Sequence, residues 1–235
     1  MAKVDTSKIF VYDDLFPDYL VQSFGKKLND INRWEYGIQG RYGGQKDGRF
    51  FAIWVHRPHE QTRNPFEKDI DGIASYVHDA FCGDALKKLI PDATPTQLYR
   101  IHFNGQVPMD VDVPIHMDWE MADYWTMIYY TSGKDGDTVF YNDPLTDDGE
   151  DVGFEEVYRV KFKPGRLVFF PSYIFHAAEH PSEGLRTSLA ISYCLNECSA
   201  NNELRKLRGL PEVKPPDLSD SDTWKEIGST FKVPM

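Results

Sequence analysis

Apolar residues along the chain follow two different periods. Leu20, Phe24, Leu28 and Ile31 recur at helical spacing behind Pro17 and an acidic start, which predicts a helix from Pro17 to about Ile31. Phe66, Ile70, Ile73, Val77, Phe81, Leu86 and Ile90 form a second stripe, a helix over 66–90 with Gly83 as its break. Ile9 to Tyr12 and Phe50 to Val55 read as strands, and the turn-rich stretch 41–48 as a loop. From Gln97 the texture changes to short β-type runs separated by Gly, Pro, Asn and Asp. These runs are Leu98 to Phe103, Trp125 to Thr131, Thr138 to Tyr141, Val157 to Phe162, Arg166 to Phe170 and Thr187 to Cys194. Their spacing predicts an antiparallel sandwich or barrel. A helix is expected again from about Asn201 to Arg208, before a tail rich in Pro, Lys and Asp.

The 235 residues carry no internal repeat and no low-complexity linker, so a single α+β domain, 1–235, is the simplest organisation. Residues 1–96 would support the core, 97–196 would form it, and 197–235 would add a helix and a tail. Charge changes this picture at two places. The net charge of -11 argues against a broad nucleic-acid or anionic-membrane footprint. Between Asp135 and Glu156 every charged residue is acidic, and the segment reads as a solvated loop or a lid. The stretch 33–68 instead carries seven basic residues against four acidic ones, which reads as a mixed surface or a basic rim for an anionic substrate.

Three cysteines without C-x-x-C spacing argue against a disulfide framework and for a reducing compartment. No segment reaches the roughly 20 apolar residues of a membrane span, and no apolar run near the N-terminus suits a signal peptide. A cytoplasmic protein is therefore expected. No motif sets an oligomeric state.

The chemistry rests on five positions. His116 and Asp118 stand at i and i+2, which on a strand puts an imidazole and a carboxylate on one face. Such a pair is two-thirds of a facial metal site, and a second His from an opposing strand would complete it. His176 follows the strand-like run Phe169–Phe170 and a turn, and Arg186 opens the run to Tyr193 ten residues later. An Arg on an inward-facing strand is costly to bury without an anion. A dicarboxylate would satisfy its fork, with Ser188 on the same side as a second donor.

His116-x-Asp118, His176 and Arg186-x-Ser188 resemble the signature of the iron(II)- and 2-oxoglutarate-dependent dioxygenases, in the prolyl-4-hydroxylase-like branch. Gly136 to Phe140, Pro164 to Phe170 and Tyr99 to Gly105 resemble that branch's connecting strands. The likeness covers about Gln97 to Asn196. It implies a double-stranded β-helix, or jelly-roll, core with flanking N-terminal helices. It implies iron(II) on His116, Asp118 and His176, and 2-oxoglutarate on Arg186 and Ser188, with Tyr99 and Tyr129 as further donors. Dioxygen would be the other co-substrate and ascorbate a candidate reductant. Related halogenases have Gly or Ala where Asp118 stands, so the carboxylate points to hydroxylation or another oxidation. The substrate would be a peptidyl residue, a free amino acid or a small metabolite. The alternatives are a cupin-like metalloenzyme, which would not need Arg186, and a binding module that has lost its chemistry.

The other histidines have ordinary readings. His102 would line the pocket or sit satisfied in the core, His78 would be solvated on the polar side of its helix, and His180 would be non-catalytic.

Overall fold

Short antiparallel strands carry the molecule, because the β-type runs after Gln97 each find partners. The computed structural model describes residues 4–31, 34–36, 51–56, 68–91, 93, 95–110, 112–119, 124–144 and 152–195. Within these residues the strands are β1 (Phe10–Tyr12), β2 (Glu35–Tyr36), β3 (Phe51–His56), β4 (Pro95–Gln106) and β5 (Tyr124–Ser132). They continue with β6 (Thr138–Tyr141), β7 (Glu156–Val160), β8 (Leu167–Pro171), β9 (His176–Ala178) and β10 (Arg186–Leu195). One sheet runs β1-β8-β5-β10-β4-β3-β2 and the other β7-β6-β9. The two sheets are the layers of a double-stranded β-helix.

Two clusters of buried residues lie on opposite faces of the larger sheet. On the outer face, Ile101, Phe103, Met127, Phe169, Leu189, Ile191 and Tyr193 pack with α1 (Asp18–Asn29) and α2 (Lys68–Ala80). Phe24 and Leu28 of α1 and Ile73 and Val77 of α2 supply the helix side of that core. On the inner face, Ile128, Tyr130, Val168 and Phe170 join Phe140, Val160 and Ile174. The period of two explains this split: neighbours along β5 and β8 belong to different cores. Every residue of β8 and β10 is buried; β8 is apolar throughout, whereas β10 carries Arg186, Thr187, Ser188 and Ser192 into the interior. Phe169 anchors the outer core, its ring centroid 4.9 Å from those of Phe81 and Trp125. Burial of a side chain of this size stabilises by about 1.5–3 kcal/mol.

The structure departs from the sequence reading at several points. The second helix does not break at Gly83. It passes through a π-helical turn at Phe81–Ala85 into α3 (Leu86–Leu89), and the wider turn keeps Phe81, Ala85 and Leu86 all buried. Strand β9 was not expected, since three residues are too few to show a period. His78 is not solvated: its Nδ1 lies 2.9 Å from the Tyr193 hydroxyl and its ring stacks on Tyr193. Burial lowers its pKa and pushes the neighbouring Cys82 thiol up to about 12. Cys194 is disulfide-bonded, against the expectation of free thiols, and its partner lies outside the described residues. The loop 41–48, the helix 201–208 and the tail also fall outside them. No described helix is long and apolar enough to cross a membrane.

Candidate metal centre

His116 and His176 meet as a hydrogen-bonded antiparallel pair. The His116 N–H donates to the His176 carbonyl at 3.0 Å and the reverse bond is 2.9 Å. That bridge lays the segment before Asp118 along the free side of β9 and brings the two imidazole rings to 4.5 Å. Asp118 is fixed by its own N–H, which donates to the Ser172 carbonyl at 3.0 Å. One ligand atom from each of His116, Asp118 and His176 lies within 4.8 Å of the others. Among the described residues no other group of His, Cys, Asp and Glu side chains converges in this way.

The two imidazoles are oriented by the same local device. Nδ1 of His116 lies 3.1 Å from the Pro114 carbonyl, and Nδ1 of His176 lies 2.9 Å from the Ile174 carbonyl. A carbonyl only accepts, so each Nδ1 donates and Nε2 is left as the atom of each ring that can meet a metal. Burial and the nearby His116 push the His176 pKa down to about 4, which keeps that imidazole neutral at pH 7. Burial alone would raise the Asp118 pKa. Arg100, the two histidines and Thr126 outweigh it and hold the carboxyl well below the usual carboxylate range. Two imidazoles and one carboxylate form the facial donor set that suits non-haem iron(II).

Arg186 is the second charged centre of the interior. Its side chain is almost fully buried, with the guanidinium beside the stacked rings of Tyr130 and Phe162, 5.2 and 5.3 Å from their centroids. Nε donates to the Gly136 carbonyl at 2.9 Å and Nη1 to the Gln106 side-chain oxygen at 2.6 Å. Nη2 has no hydrogen-bond partner among the described residues. Gly136 makes room for the side chain: a Cβ there would stand 2.7 Å from Arg186 Cδ and from the Glu179 carbonyl. Its φ of +103° also favours glycine. Burial lowers the Arg186 pKa, and among the described residues no carboxylate bonds the group. A buried guanidinium with a donor to spare calls for an anion.

The interior joins these two centres. The rings of Phe140 and Phe170 lie 6.1 and 4.8 Å from that of His176, and both belong to the inner core with Tyr130. Ser188 is buried on the Arg186 face of β10, opposite Asn104 and Tyr130. Tyr129, expected near the co-substrate, is instead on the outer face. Its ring packs edge-on against Phe16 at 6.0 Å, and its buried hydroxyl has no hydrogen-bond partner among the described residues. Tyr130 takes the inner position, and its hydroxyl donates to Thr138 at 2.7 Å. The backbone of Tyr99 belongs to β4, and its side chain lies outside the described residues. His102 is buried on β4 opposite Ala190. Gln106 and Arg100 were missed by the sequence reading, since neither belongs to a motif.

The acidic insert closes on itself at its base. Asn142 accepts from the Glu155 N–H at 2.6 Å and donates to the Gly153 carbonyl at 3.3 Å. Asp137 does not neutralise Arg186. Its oxygens accept from the Phe162 N–H at 2.9 Å, Lys161 at 2.7 Å and Arg159 at 3.3 Å. Residues 145–151, the middle of the supposed lid, fall outside the described residues.

No protein-family model matches the sequence, and neither does any curated protein. Solved structures do match by fold. A Trichoplax adhaerens prolyl hydroxylase, in complex with a peptide fragment of the hypoxia inducible factor oxygen degradation domain, is similar with a TM-score of 0.53. It shares 14% identity over 81% of this chain and 85% of its own. The non-heme alpha-ketoglutarate-dependent carbocyclase SnoK from nogalamycin biosynthesis is similar with a TM-score of 0.50. It shares 13% identity over 88% of this chain and 89% of its own. At such identity the likeness is one of fold, the double-stranded β-helix described above.

Proposed function

From that fold as premise, we propose that this chain is an iron(II)- and 2-oxoglutarate-dependent dioxygenase, with residues 97–196 as its oxygenase core. It hydroxylates, or otherwise oxidises, an unactivated C–H bond and releases succinate and carbon dioxide. The observation that carries the reading is the presence, in one interior, of two histidines and a carboxylate together with a buried guanidinium that lacks an anionic partner among the described residues. A cupin-like metalloenzyme would have no use for that guanidinium.

His116, Asp118 and His176 hold the metal, and iron(II) bound there supplies dioxygen activation coupled to oxidative decarboxylation of 2-oxoglutarate. The protein's own part is to bind and orient. A carbonyl anchors Nδ1 of each histidine and leaves Nε2 as the atom that would meet the metal, and the lowered pKa of His176 means that this ring has no proton to lose when the metal enters. Arg186 Nη2 donates to the distal carboxylate of 2-oxoglutarate, with Tyr130 and Ser188 beside it on the same face. Phe140 and Phe170 give the site an apolar wall, which limits water beside the reacting atoms.

The substrate is a peptidyl residue, a free amino acid or a small metabolite. The prolyl hydroxylase of like fold is described with a peptide and the carbocyclase with nogalamycin biosynthesis, which supports keeping both a peptide and a small molecule as substrate classes. Ascorbate is a candidate reductant. Succinate formation from 2-oxoglutarate by purified protein, with and without iron(II), tests the reading. Iron-dependent turnover that is lost in His176→Ala supports it. Turnover that persists in that variant means the triad is misassigned.

A further inference from the structure

We infer that Arg100 is a positioning residue that confines Asp118 to one metal-facing oxygen and so keeps a coordination position open; this rests on the function proposed above. Asp118 lies outside any regular strand, and the segment before it is tied to β9 by a single bridge. Its carboxylate is therefore located from the opposite sheet. Arg100 on β4 donates from Nη2 to Oδ1 at 2.7 Å, and Thr126 on β5 donates from Oγ1 to Oδ2 at 2.7 Å. Ser192 on β10 is the Cα partner of both residues, so Arg100, Ser192 and Thr126 form one row across three strands beneath the carboxylate. The single hydroxyl proton of Thr126 is committed to Asp118, so Ser172, 2.8 Å away, donates to the Thr126 oxygen and fixes its direction.

The two carboxylate oxygens have different surroundings. Oδ2 is the one facing the triad, 3.9 Å from His176 Nε2. Oδ1 is taken up by a guanidinium, in a pair where both side chains are largely buried. Carboxylates can ligate through one oxygen or two. A second Asp118 oxygen on the metal would occupy a position that a chelating keto acid or dioxygen needs. The Arg100 bond to Oδ1 opposes that mode. Nε of Arg100 has no hydrogen-bond partner among the described residues, and Asp118 is the one carboxylate there that pairs with it.

The test uses metal-free protein loaded anaerobically with cobalt(II) as a spectroscopic stand-in. Cobalt affinity, the cobalt absorption spectrum and 2-oxoglutarate affinity are compared in wild type, Arg100→Met and Arg100→Lys. Arg100→Met should keep its cobalt affinity within about threefold, show an altered cobalt spectrum and lose about tenfold or more in 2-oxoglutarate affinity. Arg100→Lys, which can still donate to Oδ1, should restore both. An unchanged spectrum with unchanged 2-oxoglutarate affinity overturns the inference. So does parallel loss of cobalt and 2-oxoglutarate, because a collapsed site behaves that way. Should Arg100→Met fail to fold, Arg100→Gln carries the same comparison. If the cobalt-loaded wild type binds no 2-oxoglutarate, the proposed function fails, while the spectral comparison still decides what Arg100 does to Asp118.

Discussion

Arg186 and Gln106 are direct partners in the β4–β10 ladder, and the guanidinium of one donates to the amide oxygen of the other across 2.6 Å. The amide nitrogen of Gln106 in turn donates to the Ala178 carbonyl at 2.8 Å, so its orientation is set from both ends. Gln106 is fully buried. Its oxygen and the Gly136 carbonyl hold Arg186 without cancelling its charge, and that charge stays available to a ligand.

Arg186→Ala should leave iron binding intact and weaken 2-oxoglutarate strongly. A hydrogen bond to a charged group contributes about 1.5–3 kcal/mol, which corresponds to a loss of roughly ten- to a hundredfold. Calorimetric titration of the manganese-loaded protein measures it. An unchanged 2-oxoglutarate affinity would remove the co-substrate assignment.

Gln106→Glu keeps the size of the side chain and places a carboxylate on Arg186. The new anion should compete with 2-oxoglutarate and lower its affinity by about tenfold or more, with metal affinity unchanged. The same titration reads this. Wild-type affinity in the variant would show that neutrality at this position is irrelevant.

The adjacent tyrosines should respond in opposite ways. Tyr129→Phe removes a buried hydroxyl that has no partner among the described residues, so stability should hold or rise by up to about 1 kcal/mol. Tyr130→Phe removes the bond to Thr138 beside Arg186, and should cost about 1 kcal/mol together with some 2-oxoglutarate affinity. Urea unfolding and ligand titration of both variants check the pair. A co-substrate defect in Tyr129→Phe alone would reverse the assignment of faces.

Those tyrosines also mark where the sequence could not be read. Both faces of β5 are buried, so no polar alternation shows which of two neighbours points inward. The metal ligands were legible because i and i+2 share a face on any strand, and because a distal His and an Arg follow at a recognisable interval. Gln106, Arg100 and the contact of His78 with Tyr193 depend on strand or helix pairing across distances of up to 115 residues. No local pattern encodes such pairings. Helix α1 and strand β6, by contrast, follow from periodicity and turn residues alone.

The depressed His176 pKa gives metal-free protein a pH-dependent stability. Between the ordinary value of about 6.5 and the folded value of about 4, the unfolded chain binds a proton that the folded protein does not. Stability therefore falls as pH falls through this window, by about 2 kcal/mol from this group at pH 5. Urea unfolding of wild type and His176→Gln at pH 7 and pH 5 isolates the contribution. Equal losses in the two proteins would mean that His176 is not the group responsible.

The most direct measurement is an anaerobic visible spectrum of purified protein with iron(II), recorded before and after addition of 2-oxoglutarate. A weak charge-transfer band that forms only when both are present, and is absent in Arg186→Ala at the same 2-oxoglutarate concentration, is the predicted result. Confirmed iron binding with no such band at saturating 2-oxoglutarate would contradict the account.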